Sequence, residues 1–170
     1  MQGWRLLCKE YTPIFLEKSP HHLYQWSAIE LILECIRTFD DVDFLLIGPI
    51  RNPLDTIYSQ YRRRRLLPEK VERQWLSAYR NLQRLKDLAG EKLVIVRYED
   101  MVSNLSCLAP VFDFCGVMPD SSRDTYFHQK SMNRAKEDAR LCFVLSDETS
   151  ELAVKYGYRK EELANQTHLL

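Results

Sequence analysis

The stretch Phe44-Leu-Leu-Ile-Gly-Pro-Ile-Arg-Asn-Pro-Leu-Asp-Thr-Ile-Tyr-Ser59 changes character midway, and that change decides the fold. Phe44 to Ile50 is a short apolar run of the kind that forms a strand buried on both faces. From Asn52 the pattern turns helical. Asn52 suits an N-cap and Pro53 the first helical position, because proline presets φ and lacks an amide that would be unpaired there anyway. Asp55 is placed to close a capping box. A strand running straight into a helix leaves free amides and the positive end of the dipole beside Arg51. Ser59, two turns on, can carry its hydroxyl along the same face. Guanidinium, hydroxyl and helix terminus together form a candidate phosphate clamp. Asp55 counts mildly against it, since a carboxylate in the first turn competes for the same dipole.

Two further runs resemble Phe44 to Arg51 in ending on charge: Pro13-Ile-Phe-Leu-Glu-Lys18 and Leu93-Val-Ile-Val-Arg-Tyr-Glu-Asp100. Each reads as a buried strand. Helical spacing of apolar residues runs from Leu23 to Phe39, from Pro53 to about Arg65 and from Glu69 to about Leu88, the last closed by Gly90. A further helix covers Cys107 to Cys115 and stops at Gly116. Pro119 to Lys136 reads as loop, and Ser146 caps a final helix that ends before Gly157. Alternating strands and helices predict a parallel α/β sheet with right-handed crossovers. The whole chain, 1–170, reads as one domain with a core of about 4–158 and a loose tail over 159–170.

The 170 residues are 45% hydrophobic and 28% charged, a soluble globular composition. Lysines and arginines (24) balance aspartates and glutamates (24). A neutral chain is a poor candidate for binding nucleic acid polymers, so any anion site must be local. No apolar run is long enough for a transmembrane helix, and the first residues lack the charged and apolar regions of a signal peptide. Five scattered cysteines, never spaced CxxC, point to buried free thiols rather than zinc or a disulfide framework. With no signal peptide, they tilt the expected compartment slightly towards the cytoplasm.

In open parallel sheets, ligands bind beyond the carboxyl ends of the strands. Here those ends carry Glu17 and Lys18, then Arg51, then Arg97 and Glu99. With glycine only at positions 3, 48, 90, 116 and 157, neither a GxxxxGK[ST] loop nor a GxGxxG turn can be assembled. A self-sufficient nucleotide triphosphatase, kinase or Rossmann oxidoreductase is disfavoured.

Three ordered segments resemble motifs of the sulfotransferase family: Phe15-Leu-Glu-Lys-Ser-Pro-His-His-Leu23, then Arg51-Asn-Pro-Leu-Asp55 with Ser59, then Val96-Arg-Tyr-Glu-Asp-Met101. The resemblance runs from about Trp4 to Tyr158. RNPxD with a serine eight residues after its arginine is the most specific part. The family moves a sulfuryl group from 3′-phosphoadenosine 5′-phosphosulfate (PAPS) to a hydroxyl or amine. The resemblance therefore implies an α/β fold with a three-layer parallel sheet of the P-loop nucleotide-binding type, and PAPS as co-substrate with no metal.

The resemblance further implies that Arg51 and Ser59 hold the donor's 3′-phosphate and that Tyr98 lies beside the adenine. Lys18 matches a lysine near the transferred group, and Glu17 the carboxylate that, in the glycan-modifying branch, draws the acceptor's proton. In the branch acting on small phenols and steroids the base is a histidine two residues beyond the lysine. Pro20 stands there in this chain, leaving His21 and His22 as runner-up bases. Plainer roles remain open: Glu17 and Lys18 as a solvated strand-end pair, Arg51 paired with Asp55 or Glu99, Tyr98 as packing. The Arg62 to Arg65 run reads best as a wet helix end. Asn133 and Arg134 fall where the family brings a C-terminal segment over the donor, but match it poorly.

One departure is marked. The family's opening strand, its Pro-Lys/Arg-Ser-Gly-Thr-Thr-like loop and the following helix bind the 5′-phosphosulfate, and nothing in these 170 residues matches them. The sheet is thus expected to be incomplete at its N-terminus. In those relatives the absent strand lies between the Arg-Asn-Pro and Arg-Tyr-Glu-Asp strands, so a vacant slot with unpaired edges is expected there. The expected activity is sulfuryl transfer to a small-molecule or glycan acceptor, weak in this chain. The alternative is a non-catalytic interaction module that keeps the scaffold and binds a partner at the slot.

Overall fold

Eight α-helices and two strands follow one another along the described residues. The computed structural model describes residues 2–19, 21–119, 132–138 and 142–164. In order these are α1 (Gln2–Glu10), α2 (Trp26–Thr38), β1 (Leu46–Ile50), α3 (Pro53–Arg64), α4 (Pro68–Ala89), β2 (Leu93–Arg97), α5 (Tyr98–Ser103), α6 (Ala109–Cys115), α7 (Arg134–Glu137) and α8 (Asp147–Lys155). Short 3-10 turns lie at His22–Tyr24, Gly90–Lys92, Leu105–Leu108 and Lys160–Glu162. The architecture is mixed α/β, mostly helical around a small parallel sheet.

The local signals place the boundaries well. Pro68 opens α4, and Gly90, at φ +54°, closes it. Gly116, at φ +62°, closes α6. Ser146 caps α8, its side chain accepting from the Thr149 amide at 3.3 Å. These devices work because they satisfy helix-end groups that have no partner within the helix.

Two sheet expectations need correction. Pro13 to Lys18 is not a strand: it is irregular, with Ile14 and Leu16 exposed. A lone extended segment gains no ladder hydrogen bonds, and among the described residues β1 and β2 pair with each other. Nor is there a slot between the Arg-Asn-Pro and Arg-Tyr-Glu-Asp strands. They pair directly and in parallel, from Leu46↔Leu93 to Ile50↔Arg97. Among the described residues the sheet consists of these two strands, each with one edge unpaired by the other. The third run is also shorter than expected, since helix α5 takes over at Tyr98.

Helix α4 carries the packing. Val71, Trp75, Ala78, Leu82 and Leu85 recur at steps of three and four and are all buried, which defines one apolar face. Leu82 and Leu85 meet Ile29 and Leu33 of α2 over Leu46, Leu93 and Ile95 of the ladder. Trp75 joins Ile50, Leu54, Ile57, Leu152 and Leu163 in a second cluster under the start of α3. Leu163 is therefore core, and the loose tail expected after Tyr158 is corrected: the fold continues to that residue. The loop expected over 119–136 lies mostly outside the described residues, and its described end enters the helical turn α7.

Gly48 marks the closest approach of helix and sheet. A Cβ there would stand 2.7 Å from Leu82 Cδ1, and Leu82 is fully buried. Gly48→Ala is expected to destabilise the fold by about 1–3 kcal/mol, the usual cost of overpacking. Urea denaturation measures this, with a lower midpoint and an unchanged slope expected.

Candidate functional site

The sequence change at Arg51 becomes a tightly held corner. Ile50 ends β1 in the core, and Asn52 caps α3, its side-chain oxygen accepting from the amides of Leu54 (2.9 Å) and Asp55 (3.3 Å). Thr56 N–H donates to the Asn52 carbonyl, and Pro53 has no amide to offer. The first-turn amides are thus already used. The free amides expected beside Arg51 are not there, so an anion at this corner must be held by side chains, with only the dipole's field in support.

Asp55 does not close a capping box. The Asn52 amide instead donates to Glu99 Oε1 at 2.9 Å, across 47 residues of sequence. Asp55 is buried and accepts from the backbone amides of Asn133 (2.8 Å) and Ala135 (3.1 Å) at the start of α7. It anchors a C-terminal segment instead of competing for the α3 dipole. Asn133 and Arg134, a poor motif match in the sequence, therefore do lie against the start of α3. The Tyr58 hydroxyl adds a bond to Asp138 at 2.9 Å.

Arg51 itself is gripped through its backbone and stacked through its side chain. Trp75 Nε1 donates to the Arg51 carbonyl at 2.9 Å. The guanidinium carbon lies 4.8 Å from the centroid of the Tyr98 ring, a cation–π distance. The sheet register explains this meeting. With Ile50 beside Arg97, the next positions along both chains bring Arg51 to Tyr98 and Asn52 to Glu99. Ser59 is half-buried on α3. Seven residues of helix bring it back to within roughly 20° of Asn52 around the axis and about 10 Å further along it.

A second group sits on the loop ahead of α2. Glu17 Oε2 lies 3.9 Å from His22 Nδ1, so the carboxylate and one of the imidazoles named as candidate bases are neighbours. Lys18 and His21 are exposed, and Pro20 lies outside the described residues. The loop is fixed to α4, where Asn81 Nδ2 donates to the Leu23 carbonyl at 2.7 Å. It also approaches the end of β1. The Tyr79 hydroxyl donates to the Pro49 carbonyl at 3.3 Å, and its pKa is raised by burial first, with the charges of Tyr24, Glu99 and Tyr156 adding to the effect. The site residues thus form two sets, Arg51 with Tyr98 and the start of α3, and Glu17 with His22, each bonded to α4, through Tyr79 and Asn81 respectively.

Trp75 and Tyr158 escaped the sequence reading as parts of this site, whereas Glu99 was read there as a charged strand end and a possible partner of Arg51. Glu99 Oε2 accepts from the Tyr158 hydroxyl at 2.7 Å; burial, then the Glu99 charge, push the Tyr158 pKa far up and keep it a donor. Arg97 is structural: its guanidinium donates to the Gly157 carbonyl at 2.8 Å and lies 4.3 Å from the Tyr158 ring centroid. Among the described residues, no group of three His, Cys, Asp or Glu side chains is arranged to hold a metal, and no helix is long and apolar enough to cross a membrane.

Comparison with solved structures gives two sulfotransferase domains. One, from the curacin biosynthetic pathway, superposes with a TM-score of 0.74 at 19% identity, covering 93% of this chain and 68% of that domain. The other, from the Synechococcus PCC 7002 olefin synthase, gives 0.77 at 22% identity, covering 93% and 64%. The chain has the sulfotransferase fold. It spans about two thirds of the length of those two domains. No protein-family model matches the sequence, and no curated protein matches it at sequence level.

The segment that closes over this sulfotransferase fold carries a titratable brace. Asn52 Nδ2 donates to the Glu162 carbonyl at 2.9 Å, and Glu162 Oε2 accepts from the Arg159 amide at 2.7 Å. Burial works to raise the Glu162 pKa, but the Arg159 amide and guanidinium, with Arg97, outweigh it and hold the carboxyl below its ordinary 4.5. A lowered folded-state pKa contributes stability that is complete above the unfolded value and fades as pH falls through the folded one. Glu162→Gln is therefore expected to be less stable than the wild type at pH 7. Urea titrations should find that difference shrinking as the pH drops below the ordinary 4.5.

Proposed function

We propose that this chain is a PAPS-dependent sulfotransferase acting on a hydroxyl or amine, with Arg51 and Ser59 binding the 3′-phosphate of the donor. The observation that carries the reading is the Arg51 guanidinium, held over Tyr98 at the carboxyl end of β1 in a chain with the sulfotransferase fold. A planar guanidinium with a nearby hydroxyl suits a terminal phosphate, whose oxygens accept several charge-assisted hydrogen bonds. Tyr98 supports the guanidinium and flanks the adenine. The reading carries with it the three-layer, P-loop-type sheet of the family.

At the transferring end, Glu17 takes the proton of the acceptor as its oxygen or nitrogen bonds to sulfur, and the bond from sulfur to the bridging phosphate oxygen breaks. Lys18 offsets charge building on that oxygen. His22, beside Glu17, is the alternative receiver of the proton. The leaving product is adenosine 3′,5′-bisphosphate. Glu-Lys-Ser-Pro gives a mild preference for a carbohydrate acceptor. A partner strand seated between β1 and β2, the basis of the scaffold-only alternative, has no support, because those strands pair with each other.

The 170 residues contain nothing like the family's 5′-phosphosulfate loop, so binding by this polypeptide rests on the 3′ end and turnover is expected to be slow or absent. Calorimetry with adenosine 3′,5′-bisphosphate tests the reading. Arg51→Ala should weaken binding by about 1.5–3 kcal/mol and Ser59→Ala by about 0.5–1.5 kcal/mol, the ranges for charged and neutral hydrogen bonds. Titrations unchanged by Arg51→Ala would remove that residue from the site.

A further inference from the structure

One peptide unit, the link between Arg51 and Asn52, is held at both of its polar atoms by side chains from distant elements. Its carbonyl oxygen accepts from Trp75 Nε1 of α4 at 2.9 Å, and its amide donates to Glu99 Oε1 of α5 at 2.9 Å. In a trans peptide these two groups point in opposite directions, so the two side chains grip the unit from opposite sides. Neither grip is itself loose. Trp75 is buried in the core under α3, and the second oxygen of Glu99 is engaged by the buried Tyr158 hydroxyl at 2.7 Å. An uncompensated change of ψ at Arg51 or of φ at Asn52 would turn α3 relative to β1, and with it the face that carries Ser59 relative to the Arg51 side chain.

We infer that Trp75 and Glu99 are positioning residues for the anion site, fixing the Arg51–Asn52 peptide so that the Arg51 guanidinium is preorganised for a phosphate; this rests on the assignment of Arg51 to the donor's 3′-phosphate. Neither residue touches the ligand. Core packing alone does not call for this pair of bonds, since a strand-to-helix junction can satisfy one carbonyl and one amide with water. Two interior side chains here do the work of solvent and remove its freedom of orientation. A guanidinium held in one direction loses less freedom on binding, and that saving appears as affinity.

The test is calorimetric titration of the full chain with adenosine 3′,5′-bisphosphate, alongside thermal unfolding. Glu99→Ala and Trp75→Phe are each expected to weaken binding about five- to twentyfold, because a misdirected guanidinium forfeits part of a charge-assisted bond. Glu99→Gln keeps an oxygen for the Asn52 amide and should stay within about twofold of the wild type. Leu85→Ala, in the other core cluster, should lower the melting temperature yet also bind within about twofold. If Glu99→Ala and Trp75→Phe bind like the wild type while Arg51→Ala does not, the positioning role falls and the phosphate assignment stands. Wild type and Arg51→Ala titrating alike would bring down both. An affinity loss in Leu85→Ala equal to that of Glu99→Ala would also overturn the inference, by reducing it to general destabilisation.

Discussion

The parallel register between β1 and β2 is the constraint on which the rest of the structure depends. Ile50 beside Arg97 is the last rung of the ladder. Both chains leave the sheet there and turn into helices, so the register continues into side chains: Arg51 meets the Tyr98 ring, and the Asn52 amide meets Glu99. A slip of one residue would turn every side chain of one strand to the other face and break both contacts at once. The two strands among the described residues are too few to be stable by themselves. Helix α4 supplies what is missing. Leu82 fits over Gly48, the Tyr79 hydroxyl bonds to Pro49 and Trp75 to Arg51, so one helical face follows the end of β1 and the residue after it in reverse order.

The C-terminal segment is locked to the same corner by polar bonds as much as by apolar packing. Tyr158 closes on Glu99, Asn52 donates to the Glu162 carbonyl, and Arg97 reaches the Gly157 carbonyl. Asp55 holds the amides at the start of α7. Each of these partners would be left unsatisfied in or near the core if the other were removed, a larger penalty than the net worth of the bond. Residues far apart in sequence thus fold as one unit around the start of α3, and what disturbs that corner is felt in the segment from Tyr158 to Leu163.

What could be read from the sequence was whatever is decided locally. The cap at Asn52, the proline at position 53, Ser146 ahead of α8 and the stops at Gly90 and Gly116 depend on dihedral preferences and hydrogen bonds within a few residues, and they stand where expected. What failed depends on partners elsewhere. Pro13 to Lys18 has a strand-like composition but no strand beside it. The amides of α3 were expected to be free although the Asn52 cap, itself legible, already uses those of Leu54 and Asp55, and the Asn52 amide's bond to Glu99 depends on a distant partner. Leu163 looked like tail because nothing in Lys160 to Leu163 announces the groove that it fills. Of the site, Arg51, Tyr98 and the α3 start were legible through their motifs, whereas Trp75 and Tyr158 join it only through tertiary contact.

The use of the α3 amides by Asn52 bears on how an anion can be held at all. Many phosphate sites at helix starts draw on several backbone amides and tolerate a modest error in any one side chain. Here Pro53 has no amide, Leu54 and Asp55 bond to the cap, and Thr56 bonds to the Asn52 carbonyl. An anion bound here would be gripped by a few side-chain donors, of which a guanidinium is the strongest and the most demanding in direction. A site built this way can be selective only if that side chain is aimed by its surroundings. The aromatic ring beneath the guanidinium and the two bonds on the peptide behind it are the means of aiming that such chemistry requires.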